Sequence, residues 1–196
     1  MTRPMRLDEL MPVFDATRIE HRVVPGELEV VYEATRMADF VDAWRESPAV
    51  RFLFAARTLG ERALSAARGQ PPVTPAELDS LRLADLTTRG EWVLLGEDRP
   101  HEIAFGVVGR FWAGETVWEE IDAAAFKSFD RPGRARIACN FSLRPYGVGR
   151  TLVSYECRTK ATDPEATREF LRYWRPLSPF IGFILRAQLG VIARAV

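Results

Sequence analysis

The last third of the chain constrains its fold most, because two alternating segments are followed by one long amphipathic stretch. Apolar and polar residues alternate over 136–144 and again over 153–158, on either side of a turn at 145–149. A period of two predicts an antiparallel hairpin with one apolar and one polar face. Asp163 and Pro164 then fit the N-cap and the first position of a helix that we expect to close the chain.

The predicted terminal helix has two different faces when it is projected at about 100° per residue. One face carries the arginines Arg168, Arg172, Arg175, Arg186 and Arg194. The opposite face is broad and apolar, and consists of Phe170, Tyr173, Trp174, Leu177, Ile181, Ile184 and Ile192. An apolar face this wide needs a large concave partner, which a curved antiparallel sheet would supply. The pair would form a container for an apolar ligand.

The earlier part of the chain predicts one strand, two helices and a series of further strands. We expect strands at 14–24, 91–97, 102–112, 115–121 and 126–129, helices at 37–47 and 48–68, and a surface loop at 69–80. Residues 27–34 fit either strand or helix. Gly106 and Gly109 predict bulges or sharp curvature within strand 102–112. We expect residues 1–12 to form a loosely held lead-in and residues 13–196 to form a single domain.

The order of these elements resembles the helix-grip fold of the START-like superfamily, also called SRPBCC, and its uncharacterised bacterial members in particular. The superfamily includes lipid-transfer domains and polyketide cyclases. The resemblance lies in 102–112 (EIAFGVVGRFW), 140–142 (NFS), 151–158 (TLVSYECR), 161–164 (ATDP) and 170–175 (FLRYWR). It implies an α+β fold with a curved antiparallel sheet of about six or seven strands, wrapped around the long C-terminal helix. It also implies a deep apolar cavity between the sheet and that helix.

Large apolar side chains on the predicted inner faces are the candidate ligand contacts. They are Trp92, Phe105, Phe111, Phe141, Tyr155, Trp174 and Ile181. Gln188 joins them because the same projection places it near the middle of the helix's apolar face. A buried amide without a hydrogen-bond partner costs roughly 1–3 kcal/mol. A sheet carbonyl, a cavity water or a ligand would supply the partner.

Asn140, Glu156 and Arg158 share the polar face of the hairpin and allow two interpretations. A solvated outer face with a cross-strand ion pair is the simpler one, and it would contribute well under ~1 kcal/mol. In the other, the sheet twists so that these residues line the cavity and bind a polar group of the ligand. Cys139 and Cys157 lie on adjacent strands of the apolar face, where small core residues are favoured over a reactive thiol.

Motifs of metal, nucleophilic and nucleotide chemistry are missing from the sequence. It contains no HExxH, CxxC, GxSxG or phosphate-binding loop, and His21 and His101 each stand alone. We therefore expect no metal and no cofactor. The first dozen residues lack an apolar run of secretory length, and two cysteines make no disulfide framework, so we expect a cytosolic, reduced protein.

Charge and hydropathy limit the partners. The 27 basic and 27 acidic residues cancel, which argues against nucleic acid. The longest apolar run, 177–185, is too short to span a bilayer, so no stable membrane insertion is expected. A small apolar molecule is the expected partner, and a homodimer is left open.

Three functions fit these features. The first is binding or transport of a small apolar ligand between the sheet and the terminal helix. The second is a polyketide cyclase or aromatase-like activity, which needs polar groups inside the cavity, with Gln188, Tyr155 and Glu156 the first to consider. The third is a non-catalytic dimerising accessory module with an exposed apolar patch on the helix at 48–68.

Overall fold

The computed structural model describes residues 4–41, 80–112 and 116–196. Its helices are α1 (Arg6–Leu10), α2 (Leu28–Met37), α3 (Ala123–Phe126) and α4 (Pro164–Arg194), with a short 3-10 turn at Leu83–Asp85. Its strands are β1 (Ala16–Pro25), β2 (Arg89–Gly90), β3 (Trp92–Asp98), β4 (Glu102–Arg110), β5 (Val117–Glu119), β6 (Ile121–Asp122), β7 (Ala135–Pro145) and β8 (Arg150–Ala161).

Six strands form one antiparallel sheet. Their order is β1-β8-β7-β4-β3, with β5 paired to the last residues of β4, while β2 and β6 make a separate two-stranded sheet. This sheet and the long α4 form an α+β helix-grip arrangement, which confirms the predicted fold class. The register of β7 and β8 is unbroken from Ala135↔Ala161 to Pro145↔Thr151. Alternate residues of the hairpin therefore keep to one face throughout.

The two faces of the main sheet are covered by different helices. We call the face under α2 and α4 the front face; its core includes Phe141, Tyr155 and Leu189. The opposite, back face lies under α1 and α3, around Leu7 and Phe126. Both faces are thus at least partly buried, so the hairpin's polar side chains do not simply point into solvent.

The long helix α4 begins where the sequence predicts. The Asp163 carboxylate accepts hydrogen bonds from the backbone N–H groups of Glu165 and Ala166, both at 2.9 Å, and Pro164 is the first helical residue. The same carboxylate accepts a 2.6 Å bond from the Gly133 N–H. These bonds hold the pKa of Asp163 below its ordinary value, with the Gly133 bond contributing most. The five predicted outer-face arginines are all exposed.

The two helices predicted after β1 can be compared with the structure only in part, because most of their residues lie outside the described ranges. The first described helix there is α2, which occupies the stretch for which strand and helix were both open. Most of the predicted helix at 37–47 lies outside the described residues. The same is true of all of the helix at 48–68 and nearly all of the loop at 69–80. Residues 126–129 were predicted as a strand, which is wrong: Phe126 ends the short helix α3, which Asp122 caps, and 127–129 follow it as a turn and irregular chain.

Of the two alternatives predicted at Gly106 and Gly109, bulges are wrong and sharp curvature stays a prediction. Both glycines keep a regular register with the strands on either side of β4, and the shift lies in β3, between Leu94 and Gly96. A Cβ atom on Gly106 would lie 2.8 Å from a ring carbon of Phe126. Glycine at this position therefore allows α3 to approach the back face closely, and it does not interrupt the strand.

The N-terminal lead-in is not loosely held where the structure describes it. Residues Arg6–Leu10 form α1, and the side chains of Leu7 and Met11 are 0% and 1% exposed. They belong to the back-face core together with Val93 and Val108. The sequence pattern missed this contact, because a helix of five residues is too short to show an apolar period.

Candidate ligand-binding site

Aromatic rings run in a connected series across the front face and onto α4. The series, which we call the aromatic row, is Phe40, Phe141, Tyr155, Phe105, Trp92, Trp118, Phe111, Phe170 and Trp174. Successive ring centroids in it lie 4.1 to 6.3 Å apart. Such offset and tilted contacts are favourable beyond the area that they bury. The row brings together all six aromatic side chains that the sequence predicted as ligand contacts.

Three members of the row were not among those candidates, and two of them link candidate residues to one another. Trp118 links Trp92 to Phe111, and Phe170 links Phe111 to Trp174. Trp118 stands among glutamates, so no apolar pattern marks it in the sequence. It pairs with Gly109, where an added Cβ would lie 2.6 Å from its ring. The third, Phe40, stacks on Phe141.

The two ends of α4 are packed more tightly than its middle. Near its C-terminal end, Leu185, Leu189 and Ile192 are 3%, 1% and 0% exposed within the front-face core. At its N-terminal end Ala166 packs with Ala135, Ala161 and neighbouring aromatic rings, and Phe170 is fully buried. Each end is thus anchored on a separate part of the sheet.

Between these anchors the apolar side chains are only partly buried. On α4 they are Tyr173, Trp174, Leu177, Ile181 and Ile184, and on the sheet they are Trp92, Leu94, Ile137 and Cys157. Ile181 and the four sheet residues all border the front-face core. Apolar side chains with accessible surface between two anchored helix ends are typical of a ligand site. We call this region the central strip.

Gln188 lies next to the central strip and is buried, as predicted. Its side chain is 7% exposed, and its Oε1 has no hydrogen-bond partner in the part of the chain that the structure describes. At helical spacing it follows Ile184 and precedes Ile192 on the same side of α4. An unsatisfied buried acceptor costs roughly 1–3 kcal/mol. The site therefore offers one acceptor to a ligand with a hydrogen-bond donor.

Tyr155 is a second polar group on this side of the sheet. It is 5% exposed and its ring stacks on Phe141 with centroids 4.1 Å apart. Burial, together with the neighbouring Cys157 and Cys139, raises the pKa of the Tyr155 hydroxyl well above its ordinary value. The hydroxyl therefore stays protonated at neutral pH and is unsuited to act as a base there.

A charged group on β1, missed in the sequence, borders the site. Register places Glu20 opposite Tyr155, on the same face. The Glu20 Oε1 accepts from Arg18 Nη2 at 2.6 Å and from Arg186 Nη1 at 2.9 Å. Burial would raise the pKa of Glu20, but its hydrogen bonds to Arg18 and Arg186 outweigh this and lower it. The only signal for Glu20 was its alternation with exposed neighbours on a strand that looked like an edge.

Gly182 lets α4 lie directly against this charged group. A Cβ atom there would lie 2.6 Å from Arg18 Nη2 and 2.7 Å from Glu20 Oε1. The group thus fastens the middle of α4 to the edge strand, on the border of the central strip.

The three polar candidates on the hairpin lie on the back face, away from the central strip. Arg158 Nε donates to Glu156 Oε1 at 2.7 Å, but both residues lie on β8, so this ion pair runs along one strand and is not the cross-strand pair that was expected. The group is not simply solvated, however, because Asn140 is 1% exposed and its Nδ2 donates to Glu102 Oε1 at 2.6 Å. This placement does not support the interpretation in which these residues line the cavity.

These polar residues instead hold α1. The Glu102 carboxylate accepts from the backbone N–H of Arg6 at 2.8 Å and from that of Leu7 at 3.3 Å, at the start of the helix. Arg158 donates to the Met11 carbonyl oxygen at 3.1 Å and to Asp8 Oδ1 at 2.8 Å. Opposite charges therefore meet both ends of α1, as the helix dipole favours.

The histidines do not enter the site. His21 is exposed on β1, opposite Ser154, and its Nδ1 lies 2.7 Å from the Ser154 hydroxyl. His101 is exposed at the turn before β4. Within residues 4–41, 80–112 and 116–196, no three histidine, cysteine or carboxylate side chains are grouped closely enough to hold a metal ion. That the protein needs no cofactor stays a prediction.

By length and composition α4 would suffice to cross a membrane, but the core helix of a water-soluble protein passes the same test. Its C-terminal part and Phe170 are buried against the sheet, but only 33% of its most apolar stretch is buried. That the chain avoids stable membrane insertion stays a prediction, as does its cytosolic location.

Comparisons with known proteins give only distant likenesses. No family model matches the sequence, and no curated protein matches it. A protein from Arthrobacter aurescens is 12% identical, with a TM-score of 0.39 over 91% of this chain and 84% of its own. The Zhui aromatase/cyclase from Streptomyces sp. R1128 is 13% identical, with a TM-score of 0.30 over 91% of this chain and 94% of its own.

The di-domain aromatase/cyclase StfQ of the steffimycin biosynthetic pathway is also 13% identical. Its TM-score is 0.30, over 96% of this chain and 54% of its own. Likenesses at this level carry no argument about what the chain does. The functional case therefore depends on the central strip, Gln188 and their surroundings.

Proposed function

We propose that the protein binds a small, largely apolar molecule between the front face of the sheet and the middle of α4. One observation carries the proposal: α4 is anchored at both ends, while the apolar side chains between the anchors keep accessible surface. A helix that served only to cover a core would bury these side chains as completely as Leu189 and Ile192. The aromatic row along the strip favours flat, aromatic or polyunsaturated ligands.

Gln188 adds a polar requirement to this apolar site. Its buried Oε1 accepts no hydrogen bond from the described residues, so a ligand that supplies a hydroxyl or N–H donor would satisfy it. Such a ligand would remove the penalty of roughly 1–3 kcal/mol that the unsatisfied acceptor imposes. The favoured ligand is therefore apolar over most of its surface, with one donor placed to meet α4.

The test uses two probes that differ only in this donor, 1-naphthol and 1-methoxynaphthalene. Binding is followed by calorimetry and by quenching of tryptophan fluorescence. Wild type should bind 1-naphthol about 10-fold more tightly, which corresponds to ~1.4 kcal/mol. Gln188→Leu should bind the two probes equally. Failure of both probes to bind wild type at millimolar concentration would refute the proposal.

A matched pair of variants locates the probes within the fold. Ile181→Trp enlarges a half-buried side chain of the central strip and should weaken binding of both probes at least 10-fold. Phe183→Trp adds similar bulk on α4 where the side chain is 48% exposed, and should leave binding unchanged. Thermal unfolding of both variants checks that they fold. Equal binding by the two would place the probes elsewhere.

The cyclase alternative stays a prediction. Of the three polar groups first considered for it, Tyr155 and Gln188 are on the α4 side of the sheet, and Glu156 is on the back face. Ligand binding without chemistry therefore has the better support. The surface on which a dimerising module would depend, at 48–68, lies outside the described residues.

A further inference from the structure

Cys139 and Cys157 face each other directly across the β7–β8 hairpin. They are partners in a register that has no shift between Ala135 and Pro145. The hydrogen bonds at the two ends of this ladder fix the kind of pair they form. The Tyr146 N–H donates to the Arg150 carbonyl oxygen, and the Thr162 N–H to that of Arg134.

Hydrogen-bonded and non-hydrogen-bonded pairs alternate along an antiparallel ladder. Cys139 lies an odd number of residues from both Tyr146 and Arg134, so the Cys139–Cys157 pair is a non-hydrogen-bonded one. In such pairs the Cα atoms lie ~4.5 Å apart and the side chains are closest. That spacing is at the short end of the range that a disulfide spans, about 4.4–6.8 Å. The neighbouring pair Phe141–Tyr155 is of the same kind, and its rings are in close contact.

The two thiols differ in accessibility. Cys139 is 1% exposed, whereas Cys157 is partly buried on the border of the central strip. Both lie on the front face, where an incoming small molecule would meet Cys157 first. Burial and the Cys157 side chain raise the pKa of the Cys139 thiol well above its ordinary value.

We propose that Cys139 and Cys157 are a redox-active pair that forms a reversible cross-strand disulfide by exchange with a low-molecular-weight disulfide. The inference does not depend on the ligand that the site binds. In a reducing compartment the dithiol is the resting form, and a rise in the disulfide pool converts it. An excess of small thiol reduces the bond again by the same exchange in reverse.

The exchange proceeds in two balanced steps. The Cys157 thiolate attacks one sulfur of the small disulfide, the S–S bond breaks, and one thiolate leaves and takes a proton from water. Cys139 then loses its proton to water and attacks Cys157 Sγ, which expels the second small thiolate. Two protein thiols are oxidised to one disulfide, and the small disulfide is reduced to two thiols.

Intact-mass measurement and thiol titration of the purified full chain in buffers of oxidised and reduced glutathione test the proposal. Under oxidising buffer, wild type should lose two hydrogen atoms and both titratable thiols, and dithiothreitol should restore them. Non-reducing tryptic digestion should link the peptide 137–150 to the peptide 151–158. This result needs no variant, so a misfolded mutant cannot decide it.

Two single variants test the order of attack. Cys139→Ala removes the second thiol and should accumulate a stable glutathione adduct on Cys157. Cys157→Ala leaves only the buried thiol and should form an adduct at least about 10-fold more slowly. The proposal is overturned if wild type retains both thiols in oxidising buffer, if it stops at a glutathione adduct, or if the two variants react equally fast.

Discussion

Gly106 lies where an added methyl group has no room. A Cβ atom there would lie 2.8 Å from the Ile137 carbonyl oxygen and 2.8 Å from the Phe126 ring. A backbone oxygen cannot turn away as a flexible side chain can. We expect Gly106→Ala to lower the free energy of unfolding by about 1–3 kcal/mol, as for other overpacked cores. Urea denaturation measures this.

Gly190 provides the contrasting glycine-to-alanine change. It lies in α4, and a Cβ atom there would meet only arginine side chains, at 3.4 Å and 3.9 Å. Alanine is the better helix former by roughly 0.8–1.0 kcal/mol. Gly190→Ala should therefore raise the free energy of unfolding while Gly106→Ala lowers it. Equal effects of the two changes would show that space around Gly106 is not limiting.

Glu20 makes the stability of the fold depend on pH. Burial opposes ionisation of Glu20, but its hydrogen bonds to Arg18 and Arg186 lower its pKa below that of the unfolded chain. The carboxylate therefore stabilises the fold above the unfolded pKa, about 4.3 for glutamate. That stability is lost as the pH falls through the lower, folded pKa. The Tm of wild type should stay level from neutral pH to about 5 and fall below it.

Replacing Glu20 measures how much of the fall in Tm at low pH is due to this carboxylate. Glu20→Gln should have a lower Tm than wild type at pH 7 and a smaller fall in Tm on acidification. Glu91→Gln, at an exposed position before β3, should follow the wild-type curve. A Glu20→Gln curve parallel to that of wild type at every pH would contradict the pairing.

Sequence reasoning found Gln188 and missed Glu20, for a physical reason. A long helix shows its inner face through many apolar residues, so one amide among them stands out. β1 offers no such contrast, because its front-facing side chains include both Arg18 and Glu20, and only packing against Gly182 buries them. Asn140, Glu156 and Arg158 were correctly grouped on one face. The helix that covers that face is α1, which is far from the β7–β8 hairpin in the sequence.

The short helix α1 depends on its charged contacts more than on its own length. Arg158 donates to the Met11 carbonyl oxygen and to Asp8, and five residues are too few for a stable isolated helix. Charge-assisted hydrogen bonds of this kind contribute ~1.5–3 kcal/mol. Arg158→Met should loosen α1, so that trypsin cleaves after Arg6 at least about 10-fold faster.

Arg150→Met is the matched control for this experiment. Arg150 is exposed at the hairpin turn and its guanidinium lies over the Tyr146 ring, away from α1. Its replacement removes one arginine without touching α1, so cleavage after Arg6 should proceed at the wild-type rate. Slow cleavage in both variants would mean that apolar packing of Leu7 and Met11 alone holds the helix.

At the scale of elements, the sequence predicted long, periodic segments well and short ones poorly. The β7–β8 hairpin and the start of α4 are confirmed, because alternation over many residues and the Asp163–Pro164 cap are strong local signals. α1 and α3 were missed because they span five and four residues. Their helical form depends on tertiary contacts with Glu102 and with the space above Gly106, which no local pattern records.

The whole molecule should show uneven stability along α4. Its residues Leu185–Ile192 are anchored in the front-face core, whereas residues 173–181 belong to the central strip and precede the contact of Gly182 with Arg18 and Glu20. We expect backbone amides in the C-terminal segment to exchange with deuterium at least about 10-fold more slowly than those in the middle. Hydrogen exchange followed by mass spectrometry resolves the two segments.

Ligand binding should even out this difference. Added 1-naphthol should slow exchange most in the middle of α4, because bound ligand stabilises the segment it contacts, while the anchored end meets the ligand only at Gln188 and is already protected. Gln188→Leu should show the same pattern of exchange without ligand. Uniform protection along the whole of α4 before any ligand is added would contradict the idea of two anchors with a looser span between them.

The two anchors of α4 also bear on how relatives of this protein would change over time. Substitutions at Leu189 or Phe170 act on the fold itself, so selection for a folded chain restricts them. Substitutions at Leu177 or Ile181 act on side chains that are already half accessible, and they cost little stability. Under the proposed function, ligand preference is therefore free to drift at the middle of the helix while its ends stay fixed. Such a division lets one scaffold acquire new ligands without first losing its shape.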